Sequence, residues 1–183
     1  TYLDGDLKLD DVQIVREYQN FLPAARFNYD FSNSKHLSVD YETSVQEPPI
    51  QQLQPVVDNS DPLNPYKGNP TLRPAYQQSW RLHFNTFDPG NMVGLFAFVD
   101  VDYTTDASTN AVFTEDFIRT TSPMNVSENL RMRSDITFTF PLVNLKNRFS
   151  ITGNVLEQRG PSVLDELEYE IVQRNIGGRI RYD

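Results

Sequence analysis

The chain has 183 residues, enough for one domain with a sizeable core. Its net charge of −9 excludes the basic stripe that nucleic-acid phosphates require, and the absence of cysteine excludes a disulfide framework, a thiolate metal site and a thiol nucleophile. Hydrophobic residues make up only 38% of the chain, yet it carries 12 Phe and 9 Tyr against one Trp, a composition that favours strands.

No run approaches the roughly 20 apolar residues of a transmembrane helix. That leaves a transmembrane barrel open, because barrel strands alternate in polarity. No signal peptide opens the chain, and both ends are expected to continue into a longer protein.

Along the chain, strict alternation of apolar and polar residues marks six segments as half-buried strands. In the first, Phe27, Tyr29 and Phe31 oppose Arg26, Asn28 and Asp30. In the second, Leu37, Val39, Tyr41 and Val45 oppose Ser38, Asp40, Glu42 and Ser44. Trp80, Leu82 and Phe84 then oppose Arg81, His83 and Asn85. Val99, Val101 and Tyr103 oppose Asp100 and Asp102. Leu130, Met132, Ile136, Phe138 and Phe140 oppose Arg131, Arg133, Asp135, Thr137 and Thr139. Phe149, Ile151 and Val155 oppose Ser150, Thr152 and Asn154. A last strand, residues 167–182, changes phase near Val172, which predicts a bulge there.

Connections alternate between short and long. Residues 32–35, 88–91 and 141–147 are short and rich in turn formers, whereas 46–75, 104–125 and 158–166 are longer polar excursions. By the same parity residues 4–14 form another long one. Short inner turns and long outer loops are how an outer-membrane barrel is built. Aromatics crowd the short-turn ends (Tyr29, Phe31, Phe84, Phe87, Phe138, Phe140, Phe149), as an interfacial girdle would. Alternation also fits a soluble β-sandwich with one wet face.

Candidate chemistry is sparse. His36 and His83 have no partner pattern, and neither G-x-S-x-G nor H-E-x-x-H occurs, so no catalytic residue is assigned and the chain is not read as an enzyme. Residues 58–61 and the acids Asp100, Asp102 and Asp106 offer oxygens to calcium, but neither group has the spacing of an EF-hand. Ordinary turn and wall chemistry is the simpler reading; no metal site and no cofactor are expected. In the excursion 46–75, seven prolines limit flexibility, which predicts an ordered, packed loop, with a turn at Gly68-Asn69-Pro70 where Gly68 is free to take positive φ.

Several segments carry a family resemblance: Gln52-Leu53-Gln54-Pro55; Asp61-Pro62-Leu63-Asn64; Gly68-Asn69-Pro70 through Leu72 and Pro74; Ser122-Pro123-Met124-Asn125-Val126; and Phe140-Pro141-Leu142. These resemble the barrel of TonB-dependent receptors of Bacteroidetes, in the outer membrane protein beta-barrel family. The resemblance covers most of the chain and is most specific in the middle block. It implies an all-β, antiparallel transmembrane barrel of about 22 strands, present here as a partial array of roughly seven. It also implies an outer-membrane location, outer-membrane lipid as surroundings, and function in energy-coupled uptake of a large or scarce nutrient. The implied partners are the protein's own plug domain, a TonB-type energy transducer reached through an N-terminal part not in this sequence, and, as a further candidate, a surface lipoprotein. In a bacterial protein the glycosylation-like triplet Asn125-Val126-Ser127 is read as accidental.

On this reading Asp40, Glu42, Arg81, His83, Asp100, Asp102, Arg131, Arg133 and Asp135 form the polar wall facing the lumen. Asp61, Pro62, Leu63, Asn64, Gly68, Asn69 and Pro70 form the motif of an extracellular loop. Counting from the turns further predicts that Asp100 or Asp102 contacts Arg131 or Arg133 across neighbouring strands. A barrel with a structural or assembly role, and a soluble sandwich that binds a ligand, remain alternatives.

Overall fold

The computed structural model describes residues 2–3, 16–17, 19–142, 147–165 and 167–182. The expected loop at residues 4–14, and most of the short connection at 141–147, lie outside the described residues. A small sheet pairs β1 (Tyr2–Leu3) with β2 (Arg16–Glu17). All other strands belong to one nine-stranded sheet. They are β3 (Ala24–Ser32), β4 (Lys35–Gln46), β5 (Val57–Asp58), β6 (Tyr66–Lys67), β7 (Ala75–Asp88), β8 (Val93–Glu115), β9 (Ile118–Leu142), β10 (Asn147–Leu164) and β11 (Leu167–Tyr182). One helical turn, α1 (Ile50–Leu53), precedes β5.

The long strands form an antiparallel meander, β3-β4-β7-β8-β9-β10-β11, each paired with its sequence neighbour. All six alternating segments lie in these strands. Tight turns follow β3 and β7; after β7 the Asp88 carboxylate accepts the Gly90 N–H at 2.9 Å and the Asn91 side-chain amide at 2.7 Å. The β3–β4 ladder slips by one between Asp30 and Ser32, so Phe31 sits at a bulge.

Two of the long connections are not loops. Residues 104–125 continue β8 and β9 as a two-stranded ribbon that closes between Glu115 and Ile118. Residues 158–164 are the end of β10, which meets β11 across a turn at Asp165. The expected bulge near Val172 is also absent: β10 and β11 pair without a slip from Phe149↔Tyr182 to Leu164↔Leu167. The apolar side chains change face along β11, but the backbone does not.

At Asp106, whose φ is 53°, the β8–β9 ladder skips one pair and resumes in the same register at Ala107↔Val126. Beyond this point the ribbon's edges exchange partners. Lower down, β8 borders β7 and β9 borders β10. Higher up, β9 is joined by β6 at Tyr66↔Thr121, and β8 by the end of β10 at Val112↔Leu164. The ribbon has therefore turned over about its own axis, as isolated two-stranded ribbons tend to do. Its two exposed edges are thereby covered.

Candidate functional site

Directly paired residues of an antiparallel sheet project to the same side, so the register assigns every side chain to a face. One face is polar. All nine predicted wall residues lie on it. Reading across β3, β4, β7, β8 and β9, one row runs Arg26, Asp40, Arg81, Asp100, Arg133, with charge alternating at each step. The next row contains Glu42, Ser79, Asp102 and Arg131; the row on the other side contains Ser38, His83, Phe98 and Asp135.

The ion pairs in these rows differ from the sequence expectation. Asp100 stands opposite Arg133, and Asp102 opposite Arg131, on one face of adjacent strands. The charges nevertheless turn to other partners. Arg133 pairs with Asp135 at 3.0 Å along its own strand and lies over the Phe98 ring at 5.8 Å. Arg81 meets Glu42 at 3.3 Å and Asp100 at 3.8 Å, while Arg26, which the sequence reading passed over, pairs with Asp40. Asp102 accepts from Ser79 Oγ at 2.6 Å and Gln77 Nε2 at 3.2 Å. Counting from the turns gave the register and the face, but not which of two arginines within reach each acid prefers.

The opposite face is apolar and, among the described residues, uncovered. Ile176 and Ile180 are 74% and 73% exposed, and Phe27, Tyr29, Ile136, Phe138 and Ile151 are about half exposed. A bare face of this size is not left in water. On β9 the band runs from Leu130 to Phe140, about ten residue steps, or ~34 Å along the strand and ~26 Å in height at a typical barrel tilt, close to the ~25 Å apolar band of such barrels. Its lower border also drifts. Leu37 and Phe84 share a row with Gly153 and Gly178, yet on β10 and β11 apolar residues continue four positions further, to Phe149 and Tyr182. Over the five strand steps from β4 to β11 this is an inclination of roughly 30°, near the tilt of barrel strands.

Aromatic rings trace that border. Phe138, Phe140, Phe149 and Tyr182 form a run across β9, β10 and β11, with successive centroids 5.4, 6.1 and 5.0 Å apart. Tyr29 packs edge-on against Phe31 at 4.6 Å, and Lys35 Nζ lies over the Phe31 and Phe84 rings, a side chain suited to reaching from an apolar surface to water. Phe87 departs from the expected girdle: it pairs with Gly94 on the polar face. At the upper border Tyr41 and Trp80 pack at 5.4 Å. In the same row, Glu157 on β10 takes both Arg159 and Arg174, ending the apolar band.

Above the band the ribbon, the end of β10 and the loop 47–74 enclose buried side chains. Ala107, Ala111, Val126 and Val163 pack together with Phe113 and Met124 against them, and Leu72 is fully buried. The motif segments meet here. Asn69 N–H donates to Gln52 O at 2.6 Å, and a Cβ on Gly68 would stand 2.0 Å from Gln54 O, so this approach of two loop segments requires glycine. The expected positive φ at Gly68 is not found; its role is close approach. Pro70 begins the turn that Asn69 closes on Leu72.

Asn69 Nδ2 also reaches Pro123 O at 2.9 Å on β9. The turn at Asp61-Pro62-Leu63-Asn64 is held by the Asp61 carboxylate, which accepts from Leu63 N–H at 3.1 Å and Asn64 Nδ2 at 2.9 Å; these donors keep it below the usual carboxylate range, the Asn64 amide foremost. Leu63 O and Pro65 O then accept from Arg119 and Thr121 of β9.

Asn125 clamps the assembly. Its Oδ1 accepts Arg73 N–H at 2.8 Å, and its Nδ2 donates to Arg73 O at 2.9 Å and Asp106 O at 2.7 Å. Arg73 also pairs with Asp106 at 2.6 Å. The side chain of the glycosylation-like triplet and one of the candidate calcium ligands are thus both engaged in loop docking. Residues 58–61 are engaged in local turns: Asp58 accepts Ser60 N–H at 3.0 Å. Among the described residues no cluster of metal-ligating side chains forms.

A tilted antiparallel sheet with a bare apolar face of membrane height, aromatic rings at its borders and a charged opposite face defines the class: an outer-membrane β-barrel protein. The chain belongs to the outer membrane protein beta-barrel family, whose model matches residues 1–176. No curated protein matches the chain.

Proposed function

We propose that the chain is part of the barrel domain of a TonB-dependent receptor, which imports a nutrient too large or too scarce for diffusion. The observation that carries this reading is the density of charged side chains on the polar face, five in one row across five strands. A narrow barrel fills its interior with packed side chains, whereas about 22 strands enclose a wet, plugged lumen in which such a wall is solvated. On this reading Asp40, Glu42, Arg81, His83, Asp100, Asp102, Arg131, Arg133 and Asp135 face the lumen, its plug and the passing solute. The packed loop, with Asp61, Pro62, Leu63, Asn64, Gly68, Asn69 and Pro70, stands outside the cell as a wall of the vestibule. A surface lipoprotein would dock on that side.

The intact protein, with its N-terminal part, should bind the periplasmic domain of the cell's TonB-type protein in a pull-down. Uptake supported by the gene should stop when the proton gradient is collapsed. A barrel with a purely structural role would give neither result, and that outcome would overturn the proposal.

A further inference from the structure

Arg131 stands apart from the other charges of the polar wall. Asp102 is directly opposite it on β8, and Gln158 directly opposite on β10. The Asp102 carboxylate, however, is turned toward β7 and held there by Ser79 and Gln77. Arg131 makes no hydrogen bond and no ion pair among the described residues, although Arg26, Arg81 and Arg133 are all paired. This is not an effect of a sheet edge, because β9 is paired on both sides at this position. Arg131 lines an open basin of about 450 Å3 on the polar face, together with Asp102, Asn129, Gln158, Gln173 and Arg159, the last already paired with Glu157.

We propose that this basin is a binding subsite for a solute carrying a free carboxylate, anchored by Arg131. The guanidinium offers two parallel N–H groups that match a planar two-oxygen anion. The neighbouring amides supply further donors for the oxygen lone pairs that the guanidinium leaves unfilled. Asp102 sets the charge limit: its carboxylate lies beside the site, so a monoanion is accepted and a dianion such as a phosphate monoester is repelled. Asp102 does not compete for Arg131 while Ser79 and Gln77 hold it. The subsite rests on the polar face being the solvated lumen of the receptor and narrows the solutes that it would take.

The test uses the full-length receptor in detergent and phenylglyoxal, an arginine-selective reagent, with adducts located by peptide mass spectrometry. Unpaired Arg131 should react faster than paired Arg81 and Arg133. N-acetylglycinate should slow its modification at least about threefold against sodium chloride of equal strength, and N-acetylglycinamide, lacking the charge, should not. Gln158→Ala should weaken that protection while Arg131 stays reactive. An unreactive Arg131 would mean that Asp102 or another acid of the protein already holds it, and would overturn the proposal. So would a reactive Arg131 that both probes leave unprotected. The readout is binding, so loss of energised uptake with protection intact would strike the transport reading and leave the subsite standing.

Discussion

Asn125 ties the loop 47–74 to the ribbon through three hydrogen bonds, and replacing it measures what that docking contributes. Asn125→Leu keeps the size of the side chain but removes the acceptor for Arg73 N–H and the donors to Arg73 O and Asp106 O. Two of these bonds are exposed and one is half-buried, so water replaces part of what is lost. At about 1 kcal/mol net for each bond, the loop's docking should weaken by roughly 3 kcal/mol. That corresponds to about a hundredfold increase in the population of the undocked loop. The membrane-spanning part of the sheet lies below the ribbon and should keep its stability, because opening is local to the loop and its partner strands. Hydrogen exchange on the intact protein reads both. The Arg73 and Thr121 amides should exchange about a hundredfold faster in the variant, while the amides of Val99 and Ile151 stay unchanged. An Arg73 amide that exchanges within about twofold of the parent would refute the clamp.

Three other outcomes follow from the same geometry. Gly68→Ala places a methyl 2.0 Å from Gln54 O, so the two segments must separate and lose the Asn69–Gln52 bond; proteolytic nicking between residues 47 and 74 should rise, at a cost of about 1–3 kcal/mol in docking. The Asp61 carboxyl sits below its ordinary 3.8 because the Asn64 amide and then the Leu63 N–H donate to its charged form. Its folded value is depressed, so the turn is fully supported above the ordinary value and loses that support as pH falls through the folded one; Leu63 amide exchange, corrected for intrinsic rate, should accelerate only at the acid end, and an acceleration centred near neutrality would contradict the assignment. A cysteine introduced by Asn59→Cys should be labelled by an impermeant maleimide on intact cells; labelling only after the outer membrane is breached would invert the orientation.

Much of the sheet was legible in the sequence because a period of two survives wherever one face meets lipid and the other water. Val39 against Ser38, or Met132 against Arg131, needs no tertiary knowledge to assign. The ribbon was not legible. Residues 104–125 are rich in Thr, Ser, Asn and Asp, a composition that reads as loop, but the ribbon stands above the membrane and has no lipid-facing side to declare itself. Its core is small, Ala107 and Ala111, and gives no strong alternation. The false bulge at Val172 has the same origin. Ile176 and Ile180 project to the membrane face, whereas Tyr169 and Ile171 belong to the opposite face above the band, so the environment changes while the register continues. The motif segments near Gln52, Asp61, Gly68 and Ser122 were visible as strings. Their common purpose lay in contacts between residues more than fifty positions apart, which no local pattern encodes.

One face of this sheet meets lipid and the other does not. Val39 and Ser38 are adjacent on β4, share its depth, and differ in the face they present. In the intact barrel reconstituted in lipid, folding equilibria in denaturant should show Val39→Arg losing about 2–4 kcal/mol, the cost of a guanidinium near the bilayer midplane, and Ser38→Arg less than about 1 kcal/mol. Equal losses at the two positions, or a larger loss at Ser38, would contradict the placement of Val39 in lipid and Ser38 on the opposite face.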